Sequence, residues 1–219
     1  MSDSKKPKRA TNRDTASGII VSDVIRGLYE GYYVAGQRLV EPDLMERYGL
    51  SRGSTREALK EMAADGIVTL QPFRGAQIRK LTRREAANIF SITEVILGLA
   101  ARQAAAHINE GDARAKLSHA LSGIEKHADD SDRFAFIQHR NFYFRTLVDI
   151  NHNDELWRLL PKLQVHLIRN RLAMPPQDRV QGYREMTEAI LTGNEDAAED
   201  AARRYVRKTA AAGLPDFPQ

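Results

Sequence analysis

The 219-residue sequence contains no cysteine, which excludes disulfide bonds and metal sites built on cysteine. No apolar run approaches the roughly 20 residues that a membrane-spanning helix needs. The basic first residues are not followed by an apolar core, so we do not expect a signal peptide. We therefore expect a cytoplasmic protein with no membrane partner.

Motifs of common enzyme classes are also missing. The sequence has no G-x-G-x-x-G, P-loop, G-x-S-x-G or H-E-x-x-H motif and, without cysteine, no thiol nucleophile. Carboxylates such as Glu94 and Asp149 have no obvious catalytic partner. These absences predict a protein that is not an enzyme.

Charge is distributed unevenly along the chain. Residues 1–80 contain 14 Lys and Arg against 10 Asp and Glu, whereas the other residues carry 19 of each, so the net charge of +4 lies in the first 80 residues. This split suggests two parts, the first of which faces an anion. Some of the excess comes from residues 1–14, which lack apolar periodicity and are expected to form a flexible basic arm.

Short helices are predicted after the arm. Helical spacing of apolar residues begins near Ser17 and ends at Gly31. A short helix over Pro42–Tyr48 is separated by Gly49-Leu50-Ser51 from a further helix over Arg52–Asp65. This pair has the length and turn chemistry of a helix-turn-helix.

A β-hairpin is predicted next, since Ile67–Leu70 and Ala76–Arg79 favour strands and flank a turn bracketed by Pro72 and Gly75. Beyond it the pattern is helical, and Thr82 with Glu85 forms the capping-box pair of the first of these helices. The predicted fold is mostly α, with three helices and a hairpin wing before an all-α bundle. The predicted segments are a basic arm over 1–14, a winged unit over 15–80, a helical domain over 81–212 and a flexible tail over 213–219.

The first turns of the helix over Arg52–Asp65 have the chemistry of a DNA-contacting surface. Ser51 is placed to cap the helix, and Arg52, Ser54 and Arg56 follow at once. In a helix-turn-helix this end of the second helix enters the major groove, where Arg binds guanine or phosphate and Ser donates to phosphates. The alternative is an ordinary solvated face whose arginines pair with neighbouring carboxylates.

The stretch "RLVEPDLMERYGLSRGSTREALKEMAADGIVTLQPFRGAQI" resembles the winged helix-turn-helix of GntR-family transcription regulators, through its L-x-E, "GLSR", "REAL", "DGIV" and "RGA". It departs at Ser54 and Thr55, where a Pro-Val pair is common. The helical half, with "EAILTGNEDAAEDAARRYV", resembles the FadR-type effector domain, or FCD domain. The resemblance implies a homodimer that binds a palindromic operator. The DNA-contacting residues that it implies are Arg52, Arg56, Ser51, Gly53, Ser54, Arg74 and Gly75.

The family's second domain commonly holds a metal through one Asp and three His. The resemblance places these positions at Arg140, Phe144, Tyr183 and Tyr205, none of which is the expected ligand. The six His residues show no i, i+4 pair. We therefore expect no metal and no other cofactor.

Without a metal, Arg140 could supply the positive charge that binds a small carboxylate effector. Tyr hydroxyls could donate to the ligand and Phe144 could form an apolar wall. The predicted effector-binding residues are Arg140, Phe144, His166, Arg169, Asn170, Tyr183 and Tyr205. The alternative is that the aromatic residues are plain core and that Arg140 is exposed.

These observations predict a ligand-responsive, sequence-specific DNA-binding regulator that acts as a repressor and is released from its operator by a small carboxylate. Two other interpretations stay open at this point. One is a helical protein-interaction module whose winged unit does not bind DNA specifically, and the other is a metal-dependent sensor.

Overall fold

The computed structural model describes residues 15–71, 75–129, 133–159 and 174–219. The chain divides into two compact units, one with the residues up to Leu28 and Tyr32–Arg79, the other with Tyr29–Gly31 and Lys80–Gln219. The described residues are mostly helical with one small antiparallel sheet, so the predicted fold class is confirmed.

The first unit combines three helices with a three-stranded sheet in the order β1-β3-β2. Its elements are α1 (Ala16–Glu30), β1 (Arg38–Leu39), α2 (Glu41–Tyr48), α3 (Arg52–Ala64), β2 (Val68–Gln71) and β3 (Gly75–Ile78). The predicted hairpin is present as β2 and β3. The sequence did not predict β1, because a two-residue strand has no pattern of its own. It is a strand through its pairing with β3.

Gly75, the first residue of β3, has a structural reason to be glycine. Its φ is +83°, and a Cβ there would lie 2.5 Å from the carbonyl oxygen of Leu39 in the neighbouring strand. A side chain would therefore strain the backbone and separate β1 from β3.

The core of the first unit holds α3 in place. Its buried residues are Thr55, Ala58, Leu59 and Met62, whereas Ala63 is half-buried. Thr55 is fully buried, and its hydroxyl is satisfied there because it donates to the carbonyl oxygen of Ser51 at 3.1 Å. The N-terminal turn of α3 is thus tied to the core while its outer face stays in solvent.

The second unit is all helical where it is described. Its elements are α4 (Arg83–His107), α5 (Ala113–Lys126), α6 (Arg133–Asn151), α7 (Asp154–Leu159), α8 (Pro176–Leu191), α9 (Glu195–Gly213) and a 3₁₀ helix (Leu214–Asp216). The capping box at the start of α4 is confirmed, with the Glu85 amide donating to the Thr82 hydroxyl at 3.2 Å and the Thr82 amide donating to the Glu85 carboxylate at 2.8 Å.

Helix α4 is long and apolar enough to cross a membrane by length and composition alone. It has 25 residues, and an 18-residue window within it has a mean hydropathy of 1.3. The core helix of a soluble protein passes the same test, so this is weak evidence for a span. Its small residues, including Ala100, Ala101 and Ala104, are buried as α4 packs along α9 and α6.

The last residues differ from the flexible tail expected over 213–219. Phe217 is buried, and the Pro218 carbonyl oxygen accepts a hydrogen bond of 2.7 Å from the amide of Arg83. The 3₁₀ helix packs on α4 and α9. The pattern "GLPDFPQ" does end a long helix, but the buried Phe217 side chain and the hydrogen bond to Arg83 attach the end of the chain to the second unit.

Candidate functional site

The N-terminal turn of α3 is closed by its own serines. Ser51 is the N-cap, and its Oγ accepts the Ser54 amide at 3.2 Å and lies 3.1 Å from the Ser54 Oγ. A proline at position 54, common in the family that this stretch resembles, would lack that donor. The replacement by Ser54 and Thr55 therefore leaves the start of α3 well capped.

Two arginines on this turn point into solvent and share one carboxylate. The side chains of Arg52 and Arg56 are 70% and 54% exposed. The Arg56 Nε donates to both oxygens of Glu41 at 3.0 and 3.1 Å, and the Arg52 Nε approaches Oε2 of the same residue at 3.5 Å. Glu41 begins α2 and is largely shielded from solvent.

Glu41 was not among the predicted site residues, although the L-x-E pattern contains it. The sequence alternative paired the two arginines with nearer carboxylates along α3. In the structure Glu57 instead pairs with Lys60 at 3.5 Å, and the arginines reach across to α2. A contact between residues 11 and 15 positions apart requires the turn geometry of the helix pair, which a spacing pattern does not contain.

The remaining predicted contact residues are Gly53, Gly75 and Arg74, of which the structure describes the two glycines. Gly53 is exposed, and a Cβ there would meet only the Ser51 hydroxyl at 3.8 Å, so packing does not require glycine at this position. Gly75 is explained by the close approach of β1. Arg74 lies outside the described residues, so its position at the wing stays a prediction.

The second unit buries a guanidinium. Arg140 on α6 is only 9% exposed and lies over the Phe144 ring, with 4.7 Å from Cζ to the ring centroid. Its Nη1 is buried and has no hydrogen-bond partner among the described residues, and no described carboxylate pairs with Arg140. The alternative of an exposed Arg140 is wrong. A buried charge without a counter-charge is costly, and among the described residues no carboxylate offsets this one.

Tyrosines from three helices surround this region. Tyr183 on α8 lies between Tyr205 on α9 and Tyr143 on α6, at centroid distances of 4.8 and 5.1 Å, and its ring is 6.0 Å from that of Phe144. The Tyr183 hydroxyl is buried, and it interacts with the neighbouring Tyr205 without forming a regular hydrogen bond to any described residue. By contrast, the Tyr143 hydroxyl is paired with Thr187 at 2.7 Å. The predicted residues Arg140, Phe144, Tyr183 and Tyr205 are therefore brought together.

Arg179 is a second buried guanidinium that the sequence prediction missed. It is 8% exposed and lies over the Phe136 ring at 4.7 Å, one helical turn before Tyr183 on α8. Burial raises the pKa of the Tyr205 hydroxyl well above its usual value, and Tyr183 adds to this, whereas Arg140 and Arg179 oppose it. Both guanidinium groups thus act on one hydroxyl. The i, i+4 spacing of Arg179 to Tyr183 was the available sequence signal.

Three predicted residues, His166, Arg169 and Asn170, lie outside the described residues and stay predictions. Their segment, residues 160–173, reads "LPKLQVHLIRNRLA" and contains no Asp or Glu. This stretch therefore provides no carboxylate for Arg140, whereas residues 130–132, which are also outside the described ranges, include Asp130 and Asp132.

Comparison with known proteins identifies the family. The model of the FCD domain matches residues 88–208, and that of the bacterial regulatory proteins of the gntR family matches residues 18–78. The chain belongs to the GntR family and carries an FCD domain. It is a transcription regulator with a DNA-binding and an effector-binding domain, and not an enzyme.

Its relatives include named repressors. The chain is 25% identical over 204 residues to the probable D-xylose utilization operon transcriptional repressor of Paenarthrobacter nicotinovorans, covering 91% of this chain and 88% of that one. It is 24% identical over 182 residues to the transcriptional repressor RspR of Escherichia coli K12, covering 79% and 78%. The solved structure of E. coli McbR/YncC has the same fold, with a TM-score of 0.78 at 17% identity, covering 92% and 98%.

The residues that the resemblance places at the family's metal positions do not fit a divalent cation. Two of these positions hold the positively charged Arg140 and Phe144, whose ring has no lone pair to donate. The other two hold the buried hydroxyls of Tyr183 and Tyr205. Burial raises the pKa of Tyr205, so its hydroxyl keeps its proton and is a poor cation ligand. Among the described residues, no group of three or more His, Asp or Glu is placed to hold a metal.

The buried charge of Arg140 leads to a stability prediction. We expect Arg140→Met to leave the free energy of unfolding of the ligand-free protein unchanged or to raise it by about 1 kcal/mol, because an apolar chain of similar shape replaces an uncompensated charge. Urea unfolding at fixed protein concentration measures this. Tyr143→Phe is the control, and should lower stability by about 1 kcal/mol because Thr187 loses its partner. A marked loss of stability in Arg140→Met would contradict the assignment of an uncompensated charge.

Proposed function

We propose that this GntR-family regulator is a cytoplasmic homodimeric repressor that binds a palindromic operator and is released by a small carboxylate. The observation that carries the DNA-binding mode is the pair of exposed guanidinium groups on the capped first turn of α3. The names of its relatives support repression. Two copies related by a two-fold axis would present two such turns to the two half-sites of an operator.

In the proposed complex, the first turn of α3 enters the major groove. Arg52 and Arg56 bind base edges or phosphates there, and the hydroxyls of Ser51 and Ser54 donate to phosphates. The open space beside Gly53 allows the DNA backbone to come close to the helix. Arg74 and Gly75 contact the adjacent minor groove from the wing.

The recognition turn leads to a binding prediction. We expect Arg52→Ala and Arg56→Ala each to weaken operator binding by about 1–3 kcal/mol and to relax the sequence preference. An operator recovered by selection from genomic fragments, titrated over a range of salt concentrations, measures both effects. Lys60→Ala, which removes one charge from the same helix away from its first turn, should change the affinity much less. Parent-like binding by both arginine variants would reject this surface.

An exposed apolar face of α4 supports the homodimer. Ile92, Val95 and Leu99 lie at i, i+3 and i+7, and all three are exposed in the single chain. An apolar stripe at helical spacing is the usual form of a helix–helix contact. A second copy of the chain, packing α4 against α4, would remove this stripe from water.

The dimer proposal is tested by a charge in this stripe. We expect Val95→Glu to shift the protein from dimer to monomer, because pairing α4 with its copy would bury two carboxylates face to face. Sedimentation or light scattering after gel filtration gives the mass. Ala115→Glu, an exposed position on α5, is the matched control and should remain dimeric. A monomeric parent protein, or a dimeric Val95→Glu variant, would count against this interface.

The effector site is proposed around Arg140. The buried Nη1 of Arg140, which has no partner among the described residues, and the buried Tyr183 hydroxyl are both donors, which suits the two oxygens of a carboxylate. Phe144 and Tyr205 would form apolar walls, and Arg179 would add positive potential. His166, Arg169 and Asn170 are proposed as further contacts. Binding would favour a dimer arrangement whose winged domains no longer match the half-site spacing.

A screen of small carboxylates tests the effector site. We expect at least one compound to raise the melting temperature of the parent protein and to weaken its binding to the operator, because it binds the native state preferentially. Arg140→Met should still bind DNA but lose both responses. Arg145→Met, the same substitution at an exposed position of α6, should keep them. A full response in Arg140→Met would reject the site.

The same measurements address the two other interpretations. A protein-interaction module would enrich no DNA sequence in the selection. A metal-dependent sensor would carry a stoichiometric divalent cation after purification.

A further inference from the structure

Glu41 is the first residue of α2, and it joins that helix to the recognition turn of α3. Its carboxylate accepts two hydrogen bonds from the Arg56 Nε and one longer contact from the Arg52 Nε. Both guanidinium groups nevertheless remain mostly in solvent. The carboxylate is therefore placed behind the arginines and away from the surface that they present.

We propose that Glu41 is a specificity-determining residue, which holds Arg52 and Arg56 for reading bases and restrains them from binding phosphates indiscriminately. This inference rests on the proposed function, in which the first turn of α3 contacts the operator. It assigns to Glu41 an effect on the ratio of specific to non-specific affinity rather than on affinity as such.

The geometry gives the first reason. All the hydrogen bonds to Glu41 use Nε atoms, so they leave the Nη1 and Nη2 edge of each guanidinium outside this contact. That edge is a planar pair of donors, which can bind O6 and N7 of guanine together. An arginine held at Nε has fewer side-chain conformations to lose when it binds a base, which favours the site where both donors are satisfied.

Charge gives the second reason. Non-specific binding depends on the number of phosphates that cations neutralise, and each such contact adds to the salt dependence. A carboxylate between two arginines lowers the local charge from two to one. It therefore weakens contacts that depend on charge alone more than contacts that also depend on donor geometry.

A contribution to folding stability explains the presence of Glu41 less well. The arginine partners of Glu41 are more than half exposed, and an ion pair with such a partner contributes little to folding. Glu41 also lies in the first turn of α2, where a negative charge is favourable by about 0.3–1 kcal/mol. Its removal should therefore leave the fold intact, which makes the substitution Glu41→Gln informative.

The test compares Glu41→Gln with Glu46→Gln, which removes the same charge from the exposed side of the same helix. Both are titrated with the duplex most enriched by the parent protein and with a scrambled duplex of equal length. In Glu41→Gln we expect the affinity for the scrambled duplex to rise and the ratio of the two affinities to fall about tenfold. In Glu46→Gln both affinities should change together, so that their ratio stays at the parent value.

A double-mutant cycle shows whether Glu41 acts through the arginines. In an Arg52→Ala, Arg56→Ala background, Glu41→Gln should no longer change the ratio. Equal ratios in Glu41→Gln and Glu46→Gln, or an unchanged effect of Glu41→Gln without the arginines, would overturn the inference. If the parent enriches no sequence at all, the proposed operator binding fails first and this inference falls with it.

Discussion

The packing of α4 along α9 is the contact on which the second unit depends. Both helices carry buried alanines, with Ala100, Ala101 and Ala104 on α4 and Ala198 and Ala201 on α9. Small side chains let two helices come close and leave the larger side chains to fill the space on either side. This arrangement carries Tyr205, on α9, into the interior.

The close approach continues between α9 and α8. A Cβ on Gly182 would lie 2.3 Å from the Tyr205 ring, so the absence of a side chain on α8 lets that ring pack against the helix. Tyr183 then meets Tyr205 on one side and the α6 aromatics on the other. The guanidinium groups of Arg140 and Arg179 lie over the rings of Phe144 and Phe136, whose π faces stabilise their charge. No described carboxylate pairs with Arg140.

The two units treat arginine in opposite ways. On α3, Arg52 and Arg56 are exposed and share Glu41, which lowers the net charge of the surface that we propose to contact DNA. On α6, Arg140 is buried, and no carboxylate among the described residues pairs with it. An exposed pair with a carboxylate suits a surface that must choose among many similar anionic partners. A buried charge that no carboxylate pairs with suits the site that we propose for a single small anion.

Local patterns in the sequence determined the family, the helix-turn-helix, the wing and the capping box, because residues a few positions apart decide caps, turns and hairpins. They also singled out Arg140, Phe144, Tyr183 and Tyr205, through the motif positions of the family. Only the tertiary structure decided that Arg140 is buried, that Arg179 joins it, that Glu41 bridges the arginines and that Phe217 holds the chain end. Each of these depends on contacts between residues far apart in sequence, whose distances are set by helix packing and are not encoded in any local spacing.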